Sequence, residues 1–358
     1  MSLSPKGTGT ITSPAGARHA RISGVGGYRP ERVITNEEVC TWIDSSDQWI
    51  RERSGIVTRR WAREDESVVD MAEAAAGPAL QMAGISPEQI GAVICATVTH
   101  PFATPAAAPL LATRLGANGV PAFDISAACA GYCYAISLAS DMVRGGSAEH
   151  VLVVGVEKLS SVTDTSDRGT AFIFGDGAGA TVVSPSDEPG IGPTVWGSDG
   201  EKWSTIQQRL GWDEILRRWE AEDAGQTVDW SDAQAHDARS ASTLAMAGQS
   251  VFRWAVWGMA PVAQQAIDKA GITAADLDAF IPHQANMRIV DAMVKQLGLP
   301  EDIPVARDIA ETGNTSAASV PLATERMLRE GEAPRGGLAL QIGFGAGLVY
   351  AAQVVRLP

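Results

Sequence analysis

The sequence predicts an α/β protein built from two halves of similar topology, and three observations lead there. First, "LQMAGISPEQIGAVICATVTH" (80–100) and "IDKAGITAADLDAFIPHQANM" (267–287) share one pattern: a helix, an Ala-Gly-Ile turn, a short polar turn and a buried strand. Their offset is constant at 187 residues from Ala83/Ala270 through Ile94/Ile281. Second, "SAACAGYCYAI" (126–136) corresponds to "SAASVPLAT" (316–324), each opening a helix. Third, "FIFGDGAGATVV" (172–183) corresponds to "LQIGFGAGLVY" (340–350), each read as a strand, a Gly-rich turn and a strand. Matched elements in one order indicate a duplication, with the halves spanning 19–190 and 191–358.

Each element has a local reason. Met259, Ala263, Ala266, Ile267 and Ala270 are spaced for one helix face. Gly84 and Gly271 stand where a helix commonly ends. "PAFDIS" reads as a buried strand, and "CAGYCYAISLASDMVRGG" as a helix stopped by Gly145-Gly146. "GDGAGA" superficially matches a dinucleotide-binding loop, but that fingerprint must open a helix. Here it leads into "TVVS", and Asp-Gly between β-runs predicts a hairpin. Pro321 falls inside the second matched helix, which should therefore begin late or kink. Residues 197–245 lie outside the matched elements as a polar, Trp-dotted insertion. One amphipathic helix and a surface loop are expected there, either as a lid or as a passive insertion.

Composition narrows the class. The chain has 358 residues, 45% hydrophobic and 20% charged, long enough for a large core. A net charge of −14 argues against non-specific nucleic-acid binding. Residues 1–18 are rich in Gly, Ser, Thr and Pro and lack an apolar core, so a disordered leader is expected rather than a secretory signal. No apolar run approaches the ~20 residues of a membrane-spanning helix, and a cytoplasmic location is expected. Cys40, Cys95, Cys129 and Cys133 do not form a disulfide framework in a chain this long.

Chemistry centres on Cys129, at the N-terminal end of its helix, with Cys133 one turn inside as packing. A helix N-terminus carries positive potential and free N–H groups, which lower a thiol pKa from about 8.5 into the range ~3.5–7.5. Ala127, Ala128, Ala130 and Gly131 leave room for a substrate. No Cys-x-x-Cys pair or His cluster accompanies these cysteines, so a metal site is not expected. The residues alone leave two readings of Cys129, nucleophile or buried structural thiol. A nucleophile needs partners. His283 ends the second-half strand and Asn314 precedes the helix matching that of Cys129, so packing the halves about a pseudo-twofold axis would bring both to Cys129.

The set "DISAACAG", "DRGTAFIFGDGAGA", "FIPHQANMRI", "TGNTSAAS" and "GFGAGLVYA", with "GVGGYRPERVITNEE", resembles the β-ketoacyl-acyl-carrier-protein synthase III family of the thiolase fold, from about residue 20 to the end. The resemblance implies a five-layered α/β/α/β/α arrangement and a homodimer. It implies that Cys129 takes an acyl group from acyl-CoA, and that His283 and Asn314 hold the thioester of malonyl-acyl carrier protein as it loses CO2. The backbone N–H groups of Cys129 and Gly347 would form the oxyanion hole. Trp49, Arg53 and Arg168 would bind CoA, with Gln249, Phe252 and Asn286 along the pantetheine tunnel. Arg288 and Lys295 would receive the acidic carrier protein. Thr104 would close the acyl pocket across the dimer, its small size admitting a branched or longer primer. No cofactor is implied beyond the two substrates. Initiation of fatty-acid synthesis is the leading reading; priming of an aromatic polyketide, or acyl transfer without condensation, are the alternatives. A non-catalytic acyl- or carrier-binding protein would form no covalent adduct on Cys129.

Overall fold

The computed structural model describes residues 11–358. Its strands are β1 (His19–Tyr28), β2 (Arg32–Thr35), β3 (Thr58–Trp61), β4 (Ala92–Ala96), β5 (Ala122–Ile125), β6 (Val151–Glu157), β7 (Gly177–Ser186), β8 (Val195–Gly197), β9 (Ile206–Gln208), β10 (Leu244–Met246), β11 (Ala279–Pro282), β12 (Leu338–Gly345) and β13 (Val349–Arg356). Two sheets carry the fold, in the orders β1-β7-β6-β4-β5 and β8-β13-β12-β11. In each, a parallel pair (β4 with β6, β11 with β12) runs into two antiparallel neighbours. Even β5 has a remnant counterpart, the parallel bridge from Phe280 to Val305 beside β11.

The layers follow from which faces are apolar. The helix Gly131–Gly145 is buried on nearly every side, as is Ser319–Arg329. Together they form a central layer, sharing one core with the inner faces of both sheets. Helices Val68–Ala83 and Ala107–Leu115 cover the outer face of the first sheet. Gly248–Ala270 and Met287–Leu297 cover the second. The result is the five-layered α/β/α/β/α thiolase fold. Both helices keep their charged residues to the C-terminal half, Asp141 and Arg144 in one and Glu325, Arg326 and Arg329 in the other, which leaves small and apolar residues to fill the centre.

Several local expectations change. Residues 172–176 form no strand, and Asp176-Gly177 makes no hairpin; β7 pairs instead with β6, across the excursion 158–176. The Asp176 carboxylate, buried, accepts from the N–H groups of Ala62 and Ser160 and from the Ser160 hydroxyl. That competing side-chain work explains why the dipeptide does not turn. β5 is a half-exposed edge strand rather than a buried one. Pro321 does delay its helix: a 3-10 turn spans Ser316–Ala318 and the helix starts at Ser319, which leaves Pro321 in the first turn where no N–H is needed. Of the expected leader, residues 1–10 lie outside the described residues. Its last residues pack, with the Ala17 N–H donating to Val143 O at 3.2 Å. Among the described residues no helix is long and apolar enough to cross a membrane.

Candidate active site

Where the two halves meet, a cavity of about 770 Å³ opens to the surface, and Cys129, His283 and Asn314 all line it. Each is delivered by a matching piece of the duplication. Cys129 sits in a 3-10 turn, Ala128–Ala130, that leads into the helix Gly131–Gly145. Asn314 lies just before the equivalent turn, Ser316–Ala318. His283 follows β11, its N–H donating to Ile342 O at 2.7 Å. The two turns share a strained feature: Ala128 and Ser316 both adopt left-handed backbone, φ 42° and 48°.

The floor is the bend after β12. A side chain on Gly345 would place a Cβ 2.8 Å from Cys129 Cβ and 2.9 Å from its Sγ, so only glycine fits. Gly345 and Ala346 line the cavity and Gly347 does not, which corrects the expected placement of Gly347 beside the nucleophile. Gly347 serves the turn itself, at φ 75°.

The electrostatics depart from the sequence expectation. Cys129 is not a depressed thiol: burial pushes it up to about 12, and the nearby Glu157 carboxylate adds to this while a Ser316 hydrogen bond opposes it. Among the described residues no cation acts on the sulfur, so burial prevails. Burial also pushes His283 down to about 3, which keeps the imidazole neutral. Its Nδ1 lies 2.7 Å from Ser319 Oγ, and Phe344 meets the ring edge-on at 5.3 Å. Asn314 Oδ1 accepts the Ser316 N–H at 2.8 Å, which turns the Asn314 amide NH2 toward the cavity. Cys133 is fully buried and packs against Gly343.

At the mouth, the helix Asp47–Ser54 presents Trp49 and Arg53 one turn apart. The Arg168 guanidinium lies 5.2 Å from the Trp49 ring centroid, and Phe172 meets Trp49 edge-on at 5.3 Å. Arg288 covers Phe252 at 5.1 Å, and Gln249 stands in the first turn of the helix Gly248–Ala270. All six expected CoA residues line the cavity. Asn286, however, has its amide already engaged: Oδ1 caps the helix Met287–Leu297 at the Arg288 N–H, and Nδ2 donates to Arg53 O. Arg288 is exposed at the rim, whereas Lys295, seven residues on, lies outside the lining. Thr104 is exposed and outside this chain's cavity.

The sequence leaves 197–245 as a lid or a passive insertion and does not anticipate its place in the cavity wall. β9 and β10 pair antiparallel, with Gln208 opposite Leu244 and Ile206 opposite Met246, and those residues face the cavity. The segment is therefore part of the wall, while its helix Trp212–Asp223 lies outside with Trp212, Leu216 and Trp219 exposed. Glu157, Ser316 and Ser319 were also missed. A lone acidic residue closing the apolar run "VLVVGVE" was the available signal for the first, and the hydroxyls of "NTSAAS" for the others.

Residues 123–200 match the family model for 3-oxoacyl-[acyl-carrier-protein (ACP)] synthase III, and 267–357 match its C-terminal model. A β-ketoacyl-[acyl-carrier-protein] synthase III of Streptomyces glaucescens is 58% identical, over 97% of this chain and 99% of that protein. One from Kocuria rhizophila is 54% identical, over 95% and 97%. Among solved structures, the priming β-ketosynthase of the R1128 polyketide pathway superposes with a TM-score of 0.90 at 47% identity, covering 97% of this chain and 98% of that one. The Aquifex aeolicus 3-oxoacyl-[acyl-carrier-protein] synthase III gives 0.82 at 37%, covering 94% and 99%.

Proposed function

We propose, because this chain belongs to the β-ketoacyl-acyl-carrier-protein synthase III family, that Cys129, His283 and Asn314 are the groups that carry its reaction. That reaction is a decarboxylative condensation: an acyl-CoA primer and malonyl-acyl carrier protein give 3-ketoacyl-acyl carrier protein, CO2 and CoA. The convergence of the three side chains on one cavity supports this assignment most directly.

In the acyl-transfer step the Cys129 sulfur bonds the primer carbonyl, the bond to CoA sulfur breaks, and the Cys129 proton ends on CoA. The Cys129 N–H, together with the Gly345–Ala346 bend rather than Gly347, would hold the developing oxyanion. In the second step malonyl-carrier protein loses CO2, and its thioester becomes an enolate. Two neutral donors suit that charge, His283 through Nε2 and Asn314 through its amide. The enolate carbon then attacks the acyl-Cys129 carbonyl, and the Cys129 sulfur leaves as a thiolate that takes one proton from solvent to restore the resting thiol.

Trp49 and Arg168 would take the adenine of CoA between them, with Arg53 near its phosphates and Gln249, Phe252 and Asn286 along the pantetheine arm. Arg288 and Lys295, both exposed on one helix, would receive the acidic carrier protein. The synthase would work as a cytoplasmic homodimer without a cofactor, with a partner's Thr104 segment closing the acyl pocket. Residues 19–190 and 191–358 form the two halves of this reading. A second role, priming of an aromatic polyketide, draws support from the R1128 enzyme's similarity.

Mass spectrometry after incubation with a panel of short straight and branched acyl-CoAs tests the first step. We expect an acyl mass on Cys129 that disappears when malonyl-carrier protein is added. No adduct with any primer would overturn the proposal. A marked preference for acetyl- over isobutyryl-CoA would remove the branched-primer role of Thr104.

A further inference from the structure

Glu157 is a buried carboxylate that the mechanism above does not use. It ends β6, directly beneath the junction of the halves, and is fully buried. Four donors converge on it. The Thr99 hydroxyl lies 2.6 Å from Oε2, the Thr97 hydroxyl 3.2 Å and the Val98 N–H 3.1 Å. The Ser316 hydroxyl, from the other half of the chain, donates to Oε1 at 3.1 Å. Among the described residues no cation joins them: Lys158, the next residue, sends its ammonium away to the carbonyls of Arg63, Glu64 and Glu66. The charge of this carboxylate is felt at the Cys129 thiol, which it raises.

Ser316 is the hinge of this arrangement. Its backbone is held in the left-handed region at φ 48°, where a residue with a Cβ does not rest unaided. From there its N–H fixes Asn314 Oδ1 at 2.8 Å and its hydroxyl donates to Glu157 Oε1, while Cys129 lines the same cavity as Ser316. A charged acceptor is what holds a strained serine in place most strongly.

We propose that Glu157 is a positioning residue for the decarboxylation step, acting through Ser316 to aim the Asn314 amide at the malonyl thioester. A second consequence follows from its charge. Burial raises this carboxyl to about 7, and in its ionised form it disfavours a thiolate at Cys129, so the resting nucleophile is the thiol. Glu157 finishes each turnover as it began. The proposal rests on the roles given above to Cys129 and Asn314.

Glu157→Gln tests it. Glutamine puts two donors where four donors already point, and removes the charge. Decarboxylation of malonyl-carrier protein without primer should fall about 10- to 100-fold. Alkylation of Cys129 by iodoacetamide at pH 8.5, where the Glu157 carboxyl is ionised, should instead become faster, located by peptide mass spectrometry. Cys95 and Cys133, both fully buried, should stay unlabelled and so report an intact fold. Both rates unchanged, or both falling together, would overturn the proposal. If Cys95 and Cys133 become labelled, Ser316→Ala decides: it keeps the backbone N–H but loses the hydroxyl. Slower decarboxylation and slower alkylation are expected, and a wild-type decarboxylation rate would overturn the proposal. A wild-type protein that neither decarboxylates nor acylates would instead sink the underlying assignment.

Discussion

His283 shows how one residue's surroundings choose its chemistry. Burial holds its imidazole neutral, with the pKa pushed down to about 3, so one ring nitrogen donates and the other accepts. Ser319 Oγ takes the Gln284 N–H, weakly at 3.5 Å, and lies 2.7 Å from Nδ1. Among the described residues Nδ1 is the one acceptor within reach of this buried hydroxyl, so donation to Nδ1 satisfies it and leaves the ring proton on Nε2, toward the cavity. Ser319→Ala frees the tautomer and should lower kcat for decarboxylation about 10-fold with KM unchanged, in steady-state kinetics. The decarboxylation rate should show no His283 acid limb between pH 5 and 7. The sign for stability is opposite to that of a paired histidine. The folded pKa lies below the unfolded 6.5, so the unfolded chain binds the extra proton, and His283 subtracts stability as pH falls from about 6.5 toward 3.

At the scale of elements, legibility tracked whether a segment's role was local. The helix-turn-strand repeats at 80–100 and 267–287 were readable because periodicity and glycine stops are written into adjacent residues. Asp176-Gly177 was misread because its carboxylate is claimed by Ala62 and Ser160, residues distant in sequence. The depressed Cys129 thiol failed for the same reason: helix position is local, but burial and the Glu157 charge come from other elements. The location of Cys129, His283 and Asn314 in one cavity was inferable from the duplication, whereas the β9–β10 wall was not. The helix Met287–Leu297 carries one more local signal, an exposed cationic residue at each end of one face, Arg288 and Lys295. In the function proposed above, such a pair on a chain of net charge −14 would receive the acidic carrier protein. Arg288→Glu should raise KM for malonyl-carrier protein about 10-fold in low salt, less at high ionic strength, and leave kcat unchanged. An unaltered KM at both salt concentrations would remove this docking role.

For the whole molecule, the central layer is what makes two halves one enzyme. The helix Ser319–Arg329 comes from the second half, yet it packs on β1 and β7 of the first sheet as well as β11 and β12 of the second. Cys129 reaches the second half in the same way, resting on the bend after β12. Neither half can bury its inner face without the other, because both inner faces belong to one core. The halves should therefore unfold together. Met327 lies in that shared layer, 1% exposed, and Met327→Ala leaves a cavity there that should cost about 2–5 kcal/mol. Seven of the ten tryptophans lie between residues 196 and 257, so fluorescence reports mainly the second half while circular dichroism reports both. In urea, the wild type and Met327→Ala should each give coincident curves by the two probes, the variant's midpoint shifted down. Separate transitions, or a variant that moves only the fluorescence curve, would show that the halves are independent folding units. The active site would then depend on docking rather than on a shared core.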